Sequence, residues 1–221
     1  MSDKEKIRQN INVLGVRDGS ALVSGDKKAK ELHAEDVAFK VSKETKPAEV
    51  KEKKAYSVLD YPVDLYSIDN KKIAKEFVHK QNPINIVLSH PIVLDEGHVF
   101  RAKIIMPLDN PFFFDHKYDH APGMLLIECF RQFGTAISHL YFNVPFDYRF
   151  VLHDMHTMFK SYVHLDSDSF IDFIIIKKKI KNNIARSFTG LGLVHQYNSI
   201  VCEFNSSWSV MPEKLLNRLG A

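Results

Sequence analysis

The chain of 221 residues is 45% hydrophobic and carries a formal net charge of +3, which fits a globular domain with a sizeable core. The charge is too small to argue for a nucleic-acid partner, and the two cysteines give neither a disulfide framework nor metal-ligand spacing. No apolar run is long enough to span a bilayer, and the first residues lack a signal-peptide core. We therefore expect a cytoplasmic protein without a membrane or nucleic-acid partner.

The N-terminal quarter of the chain differs in composition from the rest. It is dominated by Lys, Glu, Asp and Ala, and residues 40–54 carry mixed charge with few apolar side chains. We predict a charged, largely disordered extension over residues 1–56 and a single folded domain over residues 57–221. Residues 11–23 are an exception, because two short apolar runs flank Asp18-Gly19 in a pattern typical of a hairpin.

Strand-like segments lie on both sides of one helical segment. Two are predicted before it, at 84–94 and 99–106, and Pro91 places the first at a sheet edge or a bulge. Four follow it, at 150–162, 169–176, 184–194 and 199–210, with tight turns at Asn182-Asn183 and Tyr197-Asn198. Short connections between neighbouring strands favour an antiparallel sheet wrapped around one long buried helix, which is an α+β fold.

The helix is predicted over residues 124–142. Its apolar side chains spread around more than one face at helical spacing, so most of its sides should be buried. Glu128, Arg131 and Gln132 interrupt this apolar run. Because burying an unpaired ion costs several kcal/mol, these three side chains are candidates for a functional site.

Two roles for Glu128 fit its position. In the first, the carboxylate pairs with Arg131 at i,i+3 on the same helix and is structural. In the second, burial raises the pKa of Glu128 and makes it a general acid or base. Arg131 and Gln132 likewise either bind a substrate carbonyl or phosphate, or pair with Glu128 and with backbone carbonyls. The spacing is compatible with either role.

The loop before the helix holds two Asp-His pairs, Asp115-His116 and Asp119-His120. A histidine there can act as a base when a carboxylate or carbonyl fixes its tautomer, and otherwise it is a surface side chain. The two pairs could hold a metal ion, but no third cluster has ligand spacing, so we predict neither a metal nor a cofactor. Pro122-Gly123 opens the helix and leaves backbone amides free for a thioester carbonyl or an oxyanion.

A basic cluster surrounds the predicted turn at 182–183. It consists of Lys177, Lys178, Lys179, Lys181 and Arg186. The cluster is either a solvated strand end that discourages edge pairing or a docking patch for an acidic partner such as an acyl carrier protein.

Three motifs stand out in the central part of the chain: PFFFDHKYDHAPGMLLIECFRQ at 111–132, VHK at 78–80 and HLYFNVP at 139–145. Together they resemble the A-factor biosynthesis (AfsA-type) hotdog family, over roughly residues 75–211, and Glu-x-x-Arg-Gln at 128–132 is the most specific part. The resemblance implies a hotdog fold acting on acyl thioesters of an acyl carrier protein or coenzyme A. Members condense a β-ketoacyl thioester with a glycerol-type alcohol on the route to γ-butyrolactone signals, in secondary metabolite biosynthesis.

The same run is similar to the β-hydroxyacyl-carrier-protein dehydratases, which share the hotdog fold. A Pro-Phe-Phe motif leads to His116, Pro122-Gly123 opens the helix and Glu128 takes the acidic place. This sequence differs from the dehydratases in the loop, which is shorter here and has Lys117-Tyr118 where the dehydratases have a second Pro-Gly. A dehydratase mechanism is therefore the weaker expectation.

The AfsA resemblance implies a role for each candidate. Glu128 would be the general base or would orient the substrate, Arg131 would hold Glu128 or a phosphate, and His116 would be the second polar catalytic group. The substrate-binding positions would be Gly123, Met124, Asp115, His120 and Gln132, with the amide of Gly123 or Met124 polarising the thioester carbonyl.

Copy number separates this chain from the family's condensing enzymes. Those enzymes carry two hotdog units and this chain shows one, so we expect a homodimer in which His116 of one subunit faces Glu128 of the other. Three alternatives stay open: a 3-hydroxyacyl thioester dehydratase or thioesterase, a non-catalytic acyl-ligand binding or scaffold module, and a subunit that completes the dimer of another hotdog protein.

Overall fold

The structure is a computed structural model that describes residues 68–115, 117 and 119–218. The predicted extension 1–56, its hairpin at 11–23 and the domain boundary near residue 57 lie outside the described residues. Two 3-10 turns, Lys75–Val78 and Pro83–Asn85, precede the first strand.

Six antiparallel strands form one sheet. In chain order they are β1 (Ile92–Asp95), β2 (Val99–Lys103), β3 (Tyr148–Phe159), β4 (Phe170–Lys181), β5 (Ile184–Gln196) and β6 (Ser199–Pro212). Their order across the sheet is β1-β2-β4-β5-β6-β3, so β1 and β3 are its edges. The predicted sequence of two strands, one helix and four strands is confirmed.

One predicted strand, 84–94, is wrong over most of its length. Pro83 starts a 3-10 turn instead, and Leu88 and Ser89 make only isolated bridges. Regular pairing begins at Ile92, after Pro91, because proline has no N–H to donate to a ladder.

Both predicted hairpin turns are confirmed, because each joins two strands through two residues with positive φ. Asn182 and Asn183 have φ of 53° and 58°, and Tyr197 and Asn198 have φ of 50° and 58°. This is the geometry of two-residue turns whose twist matches that of the flanking strands.

Helix α1 (Gly123–Tyr141) has 19 residues and packs against the sheet. The ring of Phe130 stacks on Phe173 and Phe204, with ring centroids 5.0 and 4.8 Å apart. A Cβ at Gly192 would lie 2.5 Å from the Phe130 ring, so only glycine allows the helix this close to β5.

A second helix, α2 (Glu213–Arg218), ends the described chain. None of the helices in the described ranges has the length and apolar character needed to cross a membrane.

Candidate functional site

A polar stripe runs along α1 on the side that faces away from the stacked Phe rings. It consists of Glu128, Arg131, Gln132, Thr135 and His139, which lie near one another because residues three and four apart share a helix face. The segment from Lys75 to Val87 lies beside this stripe, since Val78, Lys80, Asn85 and Val87 all contact it.

Three side chains, two from the stripe and one from the neighbouring segment, surround the carboxylate of Glu128. Arg131 donates from Nε to Oε2 and from Nη2 to Oε1, each at 2.8 Å. Lys80 Nζ lies 2.7 Å from Oε1, and Gln132 Nε2 donates to the same oxygen at 2.8 Å. We call Glu128, Lys80, Arg131 and Gln132 the carboxylate cluster. The structural pairing of Glu128 with Arg131 is thus observed.

The pKa of Glu128 is shifted in the direction opposite to the one expected for a general base. Partial burial by itself raises the pKa of Glu128, but the hydrogen bonds and charge of Arg131, together with Lys80 and Gln132, lower this pKa to about 2. The predicted rise in pKa is therefore wrong, because the three donor side chains lower the pKa by more than burial raises it. At neutral pH the carboxylate is ionised and accepts from three side chains, with three of its four bonds on Oε1.

Gln132 joins α1 to the neighbouring segment. Its Nε2 also donates to the Asn85 carbonyl at 2.7 Å, and its Oε1 accepts from the backbone N–H of Val87 at 3.1 Å. The side chain is 0% exposed. Its amide therefore satisfies buried backbone groups, the second of the two roles considered for it.

A cavity of about 160 Å³ lies between α1 and the sheet, beside the middle of the polar stripe. Its apolar walls come from Phe130, Phe150, Leu152, Met155, Phe173 and Trp208. Arg131 and Thr135 line it from α1. The cavity thus offers an apolar interior next to a cationic side chain.

Two histidines meet at the far end of the stripe. His79 Nε2 and His139 Nε2 are 2.9 Å apart, and His139 Nδ1 lies 2.7 Å from the carbonyl oxygen of Val144. The Phe150 ring, which also lines the cavity, contacts both imidazoles with centroids 5.4 and 5.5 Å away. We call His79 and His139 the histidine pair.

The histidine pair is kept neutral by its surroundings. Burial, the neighbouring His139 and the charges of Arg131 and Arg149 lower the pKa of His79 to about 4. Burial also lowers the pKa of His139, although its bond to the Val144 carbonyl opposes this. Both imidazoles are therefore uncharged at neutral pH, and each carries a proton on one ring nitrogen only.

The loop candidates lie elsewhere. His120 Nδ1 is 2.5 Å from Asp119 Oδ1, and its ring packs on Tyr162 with centroids 4.3 Å apart. Asp115 is exposed, and His116 lies outside the described residues. Within the described ranges, no hydrogen bond or ion pair links Glu128 to Asp115, Asp119 or His120. The structure thus brings together the helical candidates, and it does not link Asp115, Asp119 or His120 to Glu128.

The N-terminus of α1 is partly covered. Met124 is exposed, but a Cβ at Gly123 would lie 3.0 Å from the Phe159 ring of β3. Over the described part of the chain, no group of three or more His, Cys, Asp or Glu side chains is arranged to hold a metal ion.

Sequence reasoning did not assign a role to the histidine pair. His79 and His139 belong to motifs that carried the family resemblance, but they are 60 residues apart and neither stands out by itself among 11 histidines. One signal was present, since His139 falls on the same helical stripe as Glu128 and Thr135.

Comparisons with known proteins identify the family. Residues 67–212, more than half of the chain, match the A-factor biosynthesis (AfsA) hotdog domain. No curated protein matches the sequence.

Similar solved structures share the fold at low sequence identity. The ApeI:P dehydratase heterocomplex of Xenorhabdus doucetiae has a TM-score of 0.53 at 12% identity, over 66% of this chain and 95% of that chain. A putative thioesterase of Lactococcus lactis has a TM-score of 0.45 at 12% identity, over 60% of this chain and 99% of that chain. A Streptococcus mutans protein bound to acetyl CoA has a TM-score of 0.38 at 12% identity, over 55% of this chain and 87% of that chain. The predicted hotdog fold is confirmed, and the chain belongs to the A-factor biosynthesis hotdog family.

Proposed function

We propose that the protein transfers an acyl group from a carrier thioester, on coenzyme A or an acyl carrier protein, to the hydroxyl of a small alcohol. The observation that carries this proposal is the apolar cavity beside Arg131 in a chain of the AfsA family. An apolar cavity of about 150 Å³ can hold benzene, so this one can take an acyl segment of about six carbon atoms. The reaction breaks the C–S bond, forms a C–O bond and releases a thiol.

Arg131 is the side chain that orients the thioester in this proposal. Its Nε and Nη2 are held by Glu128, and its Nη1 has no hydrogen-bond partner among the described residues. Because Arg131 also lines the cavity, Nη1 can donate to a carbonyl or phosphate oxygen of a ligand bound there. Glu128 then acts by fixing the guanidinium rather than by taking a proton.

The test is product analysis by mass spectrometry, with β-ketoacyl thioesters and glycerol as substrates. We expect an acyl ester from the wild-type protein and from Gly134→Ala, because a Cβ at Gly134 sits at an ordinary 3.5 Å from Phe173 and Trp208. Gly134→Leu should lose the product, since the larger side chain fills the cavity. The fold of both variants is checked by thermal unfolding.

Other products would identify the alternatives. Free thiol without an ester indicates a thioesterase, and loss of water from a 3-hydroxyacyl thioester indicates a dehydratase. Retained thioester with no product indicates an acyl-binding module. Each of these outcomes overturns the acyl-transfer proposal.

We further propose that two copies pair through the free edge of β3. Among the described residues this 12-residue strand pairs only with β6, so one row of its backbone groups has no strand partner there. Leu152 and Phe159 on it are 57% and 52% exposed. A second copy would cover these side chains, as expected for a single hotdog unit whose site forms between two subunits.

Sedimentation measures the assembly directly. The wild type should be a dimer at micromolar concentration, and Leu152→Lys should shift it towards monomer. A wild-type monomer, or a dimer that forms only with another hotdog protein, overturns the homodimer.

An acyl carrier protein would dock at the tip of the β4–β5 hairpin. Lys178 donates a hydrogen bond to the Gly97 carbonyl, and Arg186 donates one to the Tyr148 hydroxyl. The exposed lysines at this tip are Lys177, Lys179 and Lys181. Charge reversal of these three lysines should lower kcat/KM for carrier-protein thioesters and leave pantetheine thioesters unaffected. Equal effects on both substrates would contradict docking at this tip.

A further inference from the structure

The hydrogen bonds of the histidine pair determine where its protons lie. The Val144 carbonyl can only accept, so the proton of neutral His139 is on Nδ1 and its Nε2 carries a lone pair. At 2.9 Å the facing Nε2 of His79 must then donate. The remaining nitrogen of neutral His79, Nδ1, therefore carries a lone pair, and it has no hydrogen-bond partner among the described residues.

The position of His79 favours contact with a ligand. The residue ends the first 3-10 turn in a left-handed conformation with φ of 53°. It lines an open depression together with Phe77, Gln81 and Phe146. The Phe150 ring lines the acyl cavity and contacts the His79 ring with centroids 5.4 Å apart, so His79 lies one side chain away from that cavity.

The proposed reaction needs a proton acceptor that the carboxylate cluster does not supply. Glu128 accepts from three side chains and has a pKa of about 2, against about 4 for His79, so it is the weaker base of the two. Among the described residues near the cavity, His79 Nδ1 is the imidazole nitrogen with a free lone pair.

We propose that Nδ1 of His79 accepts the proton of the alcohol hydroxyl in acyl transfer, and that His139 is the positioning residue that fixes its tautomer. This inference rests on the proposed function. The ligand class it assigns to the depression is a small hydroxyl compound, bound beside the acyl cavity.

The proton transfer balances on His79. The substrate O–H bond breaks as Nδ1–H forms on His79, whose Nε2–H stays donated to His139. The alcohol oxygen bonds to the acyl carbon, the C–S bond breaks and the departing thiolate takes the proton from Nδ1 of His79. His79 is an imidazolium only in between, while His139 stays neutral with its Nδ1–H held by the Val144 carbonyl.

The groups around His79 keep the acceptor available. His139 and Arg131 face it from α1, and Arg149 faces it from β3. On its own segment, Lys75, Glu76 and Lys80 border the depression. The charges of Arg131 and Arg149 disfavour a permanent proton on His79 and favour the negative charge that develops on the alcohol oxygen.

The first test compares His79→Asn with His98→Asn. Asparagine tolerates the left-handed backbone, so the variant should fold. We expect His79→Asn to reduce kcat by roughly 100-fold or more, with a small change in KM for the thioester. His98, in the exposed turn between β1 and β2, is the matched control and its variant should retain wild-type kcat. Wild-type turnover that survives His79→Asn within threefold overturns the role of His79 but leaves the proposed function standing.

The second test reads the pair directly by long-range ¹H–¹⁵N NMR of the histidine rings. We expect the proton of His79 on Nε2 and that of His139 on Nδ1 in the wild type at neutral pH. The opposite tautomer of His79 overturns the inference whether or not the protein turns over.

The role of His139 is tested with two variants. In His139→Phe, the acid limb of the kcat/KM profile should move up from near pH 4, because the neighbour that lowers the pKa of His79 is gone. His139→Gln, whose side-chain oxygen can still accept from His79, should restore part of the activity. An unchanged acid limb in His139→Phe contradicts the positioning role. Absence of turnover in the wild type refutes both the proposed function and this proton transfer.

Discussion

The carboxylate cluster and the histidine pair lie on the same side of α1 and differ in what they leave for a ligand. In the carboxylate cluster, every bond to Glu128 comes from a neighbouring side chain of the protein itself. In the histidine pair, a chain of hydrogen bonds starts at the Val144 carbonyl and ends at Nδ1 of His79, which has no partner in the described part of the chain.

This difference shows why a charge inside an apolar helix does not by itself identify the reacting group. A carboxylate that is buried among several donors is stabilised as an ion, which lowers its pKa and its basicity. An imidazole whose tautomer is fixed by a neighbour keeps a lone pair in a defined direction. We therefore assign the carboxylate cluster to structure and orientation and the histidine pair to chemistry.

The largest stability effect should come from the buried member of the carboxylate cluster. Gln132→Leu leaves the Val87 N–H and the Asn85 carbonyl without their partner, so we expect a loss of about 2–4 kcal/mol in the free energy of unfolding. Denaturant unfolding measures it, and Gln81→Leu at an exposed position is the control. A loss below about 1 kcal/mol would show that water replaces these bonds.

Glu128→Gln should destabilise less. Glu128 is 18% exposed but Arg131 is 42% exposed and can be hydrated, so we expect a loss of about 1–2 kcal/mol. The kcat of this variant should fall less than that of His79→Asn, because Glu128 only orients Arg131. An equal fall in kcat would place the proton acceptor in the carboxylate cluster and reverse the comparison.

The two clusters should also give separate pH dependences of stability. The pKa of His79 is about 4 in the folded protein against an ordinary 6.5, so the unfolded chain binds more protons between these values. Stability should therefore fall as pH drops from about 6.5 to 4, and this part should be absent in His79→Asn. The contribution of Glu128, whose pKa is lowered from 4.5 to about 2, is present above pH 4.5 and is lost as pH falls towards 2. Thermal unfolding across this range distinguishes the two, and an unchanged fall from pH 6.5 to 4 in His79→Asn would contradict the assignment.

The smallest effect is expected at the rim of the carboxylate cluster. Lys80→Met keeps the aliphatic stem and removes a partly exposed ion pair, so the loss should be less than about 1 kcal/mol. The difference from wild type should shrink at high salt, and Lys71→Met is the exposed control. A larger, salt-independent loss would mean that Lys80 is needed to keep Glu128 ionised.

Much of the fold could be predicted from local patterns. The two-residue asparagine turn and the Tyr197-Asn198 turn set two hairpins, and the apolar run from Leu125 to Tyr141 set the helix. The strand predicted at 84–94 failed because Pro83 and Pro91 interrupt it, and an apolar run without regular pairing partners does not form a strand.

For the candidate site, the sequence by itself determined which side chains share the polar stripe of α1, because helical spacing is local. It also gave both roles of Glu128 without choosing between them. Only the tertiary structure decided the choice, by placing Lys80 and the Gln132 amide against the carboxylate. Only the tertiary structure joined His79 to His139, since a contact across 60 residues depends on how the segment before β1 packs on α1. Spacing fixes neighbours along one helix, whereas the pKa of a side chain is set by whatever the fold brings to it from elsewhere.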